Sequence, residues 1–298
     1  MLSFALIFAV SLFFSGIVVK VKSIASGRKG PGVFQPICDI WRLLRKGAVY
    51  SRTSSIVFQI APSIYFASIL AAMAAVPFGS QGGIVSFSCD FVFFAYVLAL
   101  GKFFCIIGAL DTGSSFEGMG ASREALFSML AEPAFFILMG TLGLLTGHTS
   151  FLQIFSSLHI DTNLSYILVT IACFLLIMIC MIENSRMPVD DPKTHLELTM
   201  IHEVMILDNS GFDLGLILHA TNLKFAMYGA LIADLFIGNL PANIAIAAFF
   251  GIQIAVAIIA GIIESFMARF RMSHNSQFIL VLSSLALLML LGVMLINN

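Results

Sequence analysis

The sequence predicts an all-α integral membrane protein with eight transmembrane helices, short amphipathic and loop helices on the cytoplasmic side, and both termini on the outer face. Three observations carry that expectation. The 298 residues are 59% hydrophobic and only 10% charged, with a mean hydropathy of +1.02, outside the range of soluble domains. Apolar runs long enough to cross a hydrocarbon core of about 30 Å recur eight times. The loop lysines and arginines fall in alternate loops only. A net charge of −1 leaves no basic footprint for nucleic acid. The expected surroundings are a lipid bilayer, the cell inner (cytoplasmic) membrane, crossed many times by a single membrane domain covering 1–298.

The first run, 2–21, has no positive residue before it, while Lys20, Lys22, Arg28 and Lys29 follow. A secretory signal has the reverse polarity, so this is a retained span. In the basic loop 22–54, the stretch Val33–Lys46 places Val33, Ile37, Ile40, Trp41 and Leu44 at helical spacing, the pattern of a short helix lying in the interface plane. Seven further runs follow near 55–78, 91–110, 125–146, 164–182, 215–238, 241–264 and 276–296. Pro62 and Pro133 fall about one turn into theirs, where local partners satisfy the freed carbonyls. Eight of the 15 Lys and Arg residues lie in 20–52, and Arg123, Arg186, Lys193, Arg269 and Arg271 lie in the loops after spans three, five and seven. The loops after spans two, four and six hold none, which puts loops 22–54, 111–124, 183–214 and 265–275 in the cytoplasm.

The stretch 183–213 concentrates nine charged residues, seven of them acids, between apolar walls. Carboxylates beside a membrane are costly unless protonated, paired, or facing a docked partner. Glu183 and Arg186 are adjacent on a helix end, and Pro188 is expected to stop that helix. Asp191 and Pro192 read as an N-cap and first helical position, opening a helix that carries Glu197 and Glu203 to about Leu207. His195 and His202, seven apart on it, are roughly 10 Å apart, too far to share a metal, though either imidazole can relay protons. His202-Glu203 begins a zinc-protease pattern that fails at Ile206. Among the five cysteines there is no CxxC, so a cluster or zinc site on this chain is not expected.

Within the spans, Lys102, Glu132, Lys224 and Asp234 are expensive in hydrocarbon. They are either internal ion pairs that fix helix packing or a chain of protonatable sites, with Glu124 on an adjacent face of the Glu132 helix. Lys224 and Asp234, about 15 Å apart, cannot pair directly. Glu264 ends its span, where snorkelling to the surface accounts for it.

Several stretches together resemble the membrane subunit shared by respiratory complex I and the group 4 membrane-bound hydrogenases, most closely the formate hydrogenlyase and hydrogenase-4 type. They are Gly30-Pro31-Gly32 with Gln35, Asp39 and Leu43-Leu44; Leu110-Asp111-Thr112-Gly113-Ser114 with Gly120-Ala121-Ser122-Arg123-Glu124 and Glu132-Pro133; Glu183, Arg186, Pro188, Asp190, Glu197, Leu198 and Glu203; and Ala268-Arg269-Phe270-Arg271. The resemblance implies an eight-span subunit that anchors a peripheral arm and couples its electron transfer to proton (or sodium) translocation. The arm would comprise iron–sulfur subunits and a hydrogenase-like large subunit with a nickel–iron centre, and antiporter-like membrane subunits would lie alongside. No cofactor is expected on this chain itself.

Two departures from the complex I pattern stand out: Lys29-Gly30-Pro31-Gly32 in the first loop counts against quinone, and Lys193 and His195, where complex I has glutamates, count against the acidic stretch loading protons as complex I does. Glu183, Arg186, Asp190, Glu197, Glu203, Glu124, Glu132, Lys102, Lys224 and Asp234 are the expected proton-path residues. Gln35, Asp39, Asp111, Arg123, Arg269 and Arg271 are the expected arm-docking residues. The rival readings are a purely structural anchor, a quinone-binding subunit of an NADH:quinone oxidoreductase, and a free-standing transporter.

Overall fold

Residues 1–158, 163–190, 200–238 and 240–297 are described by a computed structural model, and every apolar run noted above is helical in it. The first span is a pair, α1 (Leu2–Ser11) and α2 (Phe14–Ala25), separated by a tight turn in which the Leu12 and Phe13 N–H groups bond to the Ala9 and Val10 carbonyls. One turn into α2, Gly16 leaves no room for a side chain against the Val33 carbonyl, so the loop that follows folds back onto the span. The remaining helices are α3 (Gln35–Leu44), α4 (Ile56–Ala75), α5 (Asp90–Asp111), α6 (Ser115–Thr146), α7 (Phe151–Ser157), α8 (Asn163–Glu183), α9 (His202–Met205), α10 (Gly211–Ile237), α11 (Ala242–Phe266) and α12 (Met272–Asn297). Among the described residues, eight stretches are long and apolar enough to cross a membrane: the α1–α2 pair, α4, α5, α6, α8, α10, α11 and α12.

The bundle is built around α10. Its most apolar stretch is 78% buried, against 28–56% for the other spans, and it packs on α1, α3, α4, α8 and α11. Phe14 and Phe225 meet edge to face at 4.5 Å, and Phe94 packs against Phe135, Phe151 and Tyr228. The amphipathic helix is present as α3. Ile40 is buried, while Trp41 is exposed and lies 4.9 Å from the Arg45 guanidinium.

Successive loops alternate between the two ends of the bundle. At one end Val49 N–H bonds to Ser210 Oγ (2.9 Å), Ser55 N–H to Asp111 Oδ2 (2.7 Å) and Phe270 N–H to the Pro188 carbonyl (3.1 Å). At the other, Cys89 N–H bonds to the Thr149 carbonyl (3.2 Å) and Gly79 N–H to Asp234 Oδ1 (3.0 Å).

Four local expectations change. Residues 115–124, read as loop, are the first turns of α6, whose 32 residues span about 48 Å and so stand well clear of a hydrocarbon core of about 30 Å. Helix α7, with Phe151, Ile154 and Phe155 buried, was not foreseen; Asp90 anchors its start by accepting from Ser150 Oγ (2.9 Å) and Phe151 N–H (2.6 Å). Helix α8 ends at Glu183, before Pro188 can act. Ser185 is left-handed (φ 48°), its N–H bonds to the Ile182 carbonyl (2.9 Å), and Arg186 N–H bonds to the Met181 carbonyl (2.8 Å). That is a Schellman cap with serine where glycine is usual. Lastly, a continuous helix to Leu207 does not exist: Met200 and Ile201 are non-helical and α9 holds only His202–Met205. Asp191, Pro192, Lys193, His195 and Glu197 lie outside the described residues.

Candidate functional site

Four charges from four helices meet in the middle of the bundle. Glu183, the last residue of α8, accepts on Oε2 from Lys102 Nζ of α5 (3.0 Å) and from Lys224 Nζ of α10 (3.2 Å). Lys102 Nζ also lies 3.2 Å from Glu124 Oε1 of α6, and Glu124 Oε2 accepts from Ser185 Oγ at 3.0 Å. All four side chains are at most 10% exposed. Two cations and two carboxylates make the quartet neutral, which is how so much buried charge is tolerated. A left-handed non-glycine residue costs roughly 1–3 kcal/mol; at Ser185 that conformation is what aims the hydroxyl at Glu124.

Two further ion pairs hold the acidic stretch against the bundle. Glu264 of α11 takes Arg186 Nη1 on Oε1 (2.7 Å) and Lys22 Nζ on Oε2 (3.2 Å), and the Arg186 guanidinium also lies 4.6 Å from the Phe225 ring. Asp190 takes Arg269 Nη2 on Oδ1 (2.8 Å) and the N–H groups of Ile201 and His202 on Oδ2 (3.1 Å each). Burial pushes the Asp190 carboxyl up to about 6, and the Arg269 guanidinium and the two backbone donors work against that rise. Helix α9 lies directly on α6. A side chain at Gly120 would stand 2.8 Å from the Ile201 carbonyl and 3.0 Å from Met205 N.

Beside these clamps is a cavity of about 330 Å³ bordered by Lys22, Asp39, Arg186, His202, Glu203 and Glu264, among others. A second space, about 30 Å³, lies among Lys102, Ser128, Glu132, Glu183 and Tyr228, enough for a water bridging polar groups. Glu132 and Lys102 also border a groove of about 430 Å³ between α5 and α6. The arrangement stores compensated charge, and any change in one member must be answered by its neighbours.

The sequence-predicted residues divide cleanly. Glu183, Glu124, Lys102 and Lys224 come together, with Glu132 across the small cavity. Arg186, Asp190 and Glu203 stand at the large cavity or its clamp. Asp234 does not join them: it sits at the far end of α10, buried, with Oδ1 on Gly79 N–H and Oδ2 without a partner among the described residues. Of the docking candidates, Gln35, Asp39 and Arg271 are exposed, with Gln35 Nε2 bonded to Asp39 Oδ1 at 2.8 Å. Asp111 caps the Ser55 turn, Arg123 Nη1 bonds to the Met200 carbonyl (3.1 Å) and Arg269 holds Asp190.

Glu264 was misread: it does not snorkel but is 6% exposed and twice paired. Lys22 and Ser185 were missed altogether. An acid closing one apolar span and a basic cluster closing another on the same side was the available signal for the Glu264–Lys22 pair. Nothing in the sequence announced Ser185.

Known proteins resemble this chain in sequence and in fold. Hydrogenase-4 component C of Escherichia coli (strain K12) is 31% identical over 226 residues, covering 75% of this chain and 70% of that protein. Formate hydrogenlyase subunit 4 of the same organism is 27% identical over 277 residues, covering 89% of this chain and 88% of that protein. A chain in the structure of the membrane-bound sulfane sulfur reductase (MBS), an archaeal respiratory membrane complex, superposes with a TM-score of 0.80 over 97% of each chain at 18% identity, which establishes a shared fold. The family model described as NADH dehydrogenase matches residues 1–295, and the chain belongs to that family.

Proposed function

We propose that this chain is the membrane subunit of a multi-subunit redox complex of the group 4 hydrogenase or complex I-like kind. In that role it anchors a peripheral iron–sulfur arm and couples the arm's electron transfer to proton (or sodium) movement. The observation that carries the reading is Glu183 shared between Lys102 and Lys224, directly behind the loop that the arm would rest on. The arm would dock at the basic end of the bundle, in the cytoplasm, over Gln35, Asp39 and Arg271, with Asp111, Arg123 and Arg269 shaping the loops beneath. The arm's subunits would carry the iron–sulfur clusters and a nickel–iron centre, and antiporter-like subunits would lie alongside in the inner membrane.

On this reading, displacement of the 184–190 loop by a redox event moves Arg186 relative to Glu264 and Asp190 relative to Arg269. Because Asn184 and Ser185 follow Glu183 directly, the same displacement changes how Glu183 divides itself between its two lysines. A proton arriving on Glu183 would leave Lys102 to Glu124 and release Lys224. Glu132 and the groove beside it are the lateral way out, and Glu203 and Glu197 belong to the loop side. Asp234 stands apart from this route.

Glu183→Gln tests the reading in the intact complex in sealed inside-out vesicles. The expected result is an assembled complex whose arm still transfers electrons while ion movement falls to background. Undiminished ion movement per electron would refute coupling through this cluster, and loss of assembly alone would favour a purely structural anchor. A second reading, a quinone-binding subunit, is favoured by the 330 Å³ cavity, which is large enough for a ring-sized head group. Asn222 of α10 also lines that cavity, and a quinone analogue that protects the engineered thiol of Asn222→Cys from alkylation would select this reading.

A further inference from the structure

We infer that His202 passes protons between the large cavity and the Glu124 carboxylate, and so is the entrance to the buried quartet. This rests on the coupling role proposed above and adds the residue through which the cluster reaches water. His202 opens α9 and lines the cavity together with Asn184, Ser185 and Arg186. Its Nε2 is closed off from solvent and has no hydrogen-bond partner among the described residues. A buried ring nitrogen left unpaired is unusual enough to need a reason. The ring is also held in place. Its backbone N–H is tied to Asp190 Oδ2 at 3.1 Å, and α9 is seated on α6 at Gly120. Glu124 is four residues beyond Gly120 on the same helix, which brings it to the same face, beneath α9.

The charges around the ring suit a relay. Burial holds the imidazole below its ordinary value, Lys224 and Lys102 act in the same direction, and Glu124 alone works against them. Arg186 and Glu203 line the same cavity, Asp190 accepts from the His202 backbone N–H, and Arg123 holds the Met200 carbonyl two residues earlier. The resting ring is therefore neutral, with one nitrogen a donor and the other an acceptor. In the transfer, a hydrated proton in the cavity forms a new N–H bond at the acceptor nitrogen. The N–H bond at the other nitrogen breaks, and its proton goes to a Glu124 oxygen. The ring ends neutral in the opposite tautomer, and one positive charge has entered the quartet.

The test uses the intact complex in inside-out vesicles. His202→Gln keeps a hydrogen-bonding side chain of similar reach but cannot switch tautomers. The expected result is retained assembly and electron transfer with ion movement lost. His202→Gly with added imidazole is expected to regain ion movement, a rescue that a merely structural role would not give. Full ion movement in His202→Gln overturns the inference. So does a His202→Gly complex in which imidazole restores assembly and not ion movement. The two proposals fail separately: uncoupling by Glu183→Gln with none by His202→Gln removes only the relay, whereas no uncoupling by either removes the coupling role itself.

Discussion

At the scale of single residues, the decisive fact is that the quartet's charges balance. Lys224→Met leaves Glu183 and Glu124 facing Lys102 alone, and breaking a buried pair from one side typically costs 3–5 kcal/mol, so a loss of about that order is expected. Lys224→Met combined with Glu183→Gln leaves Lys102 and Glu124 as a neutral pair, so the double variant is expected to unfold in detergent nearer the wild type than Lys224→Met does. Additive losses on thermal unfolding would show that the four charges do not act together. Asp190 makes a prediction in pH. Its folded-state value, about 6, lies above the ordinary 3.8 because burial outweighs Arg269 and two backbone donors. An acid shifted upward stabilises the fold fully below its unfolded value, and that contribution disappears as pH rises through its folded value. Between pH 4 and about 6.5 the wild type should therefore lose stability relative to Asp190→Asn, by roughly 3 kcal/mol at most. A constant difference between the two unfolding curves across that window would contradict the burial argument.

At the scale of elements, what could be read from the sequence is what one-dimensional physics controls. A stretch such as 241–264 can satisfy its backbone in hydrocarbon only as a helix, so all eight spans were visible in composition alone. Helix α3 was visible because its apolar residues recur at a period of 3.6. The helical start of α6 was not, because 115–124 are polar enough to resemble a loop; in the fold α9 rests against them at Gly120. The end of α8 went to Pro188, the strongest local breaker, whereas a serine in a left-handed turn had already closed the helix three residues earlier. In the site, Lys102, Glu124, Glu183 and Lys224 stood out because charge in hydrocarbon is conspicuous, but their pairing was not, since it joins residues 41 and 81 positions apart. Glu264 was seen and misassigned for the same reason: its partners, Lys22 and Arg186, come from different ends of the chain. Asp234 was grouped with the path as one of four charged residues inside apolar spans, and the fold puts it beside Gly79 at the end of α10 away from Lys224.

At the scale of the whole molecule, the alternation of loops makes one end of the bundle basic and the other nearly uncharged, and the positive-inside rule then assigns the basic end to the cytoplasm. Two native cysteines test this without engineering a probe. Cys38 is exposed on α3 at the basic end, and Cys89 is exposed at the other, bonded through its N–H to the Thr149 carbonyl. Cys105 and Cys180 are buried, and Cys173 is half-buried within the α8 span. A membrane-impermeant maleimide applied to intact cells should therefore modify Cys89 and spare Cys38. Applied to inside-out vesicles stripped of peripheral subunits, it should modify Cys38 and spare Cys89. The same vesicles with the arm in place carry the docking prediction, because Gln35 and Asp39 flank Cys38 on the same short helix. Modification of Cys38 should slow when the arm is bound and recover when it is removed. Labelling of Cys38 from the outer face would reverse the topology. Equal labelling with and without the arm would leave the topology standing and move the docking surface off α3, toward Arg271 and the turn that Asp111 caps.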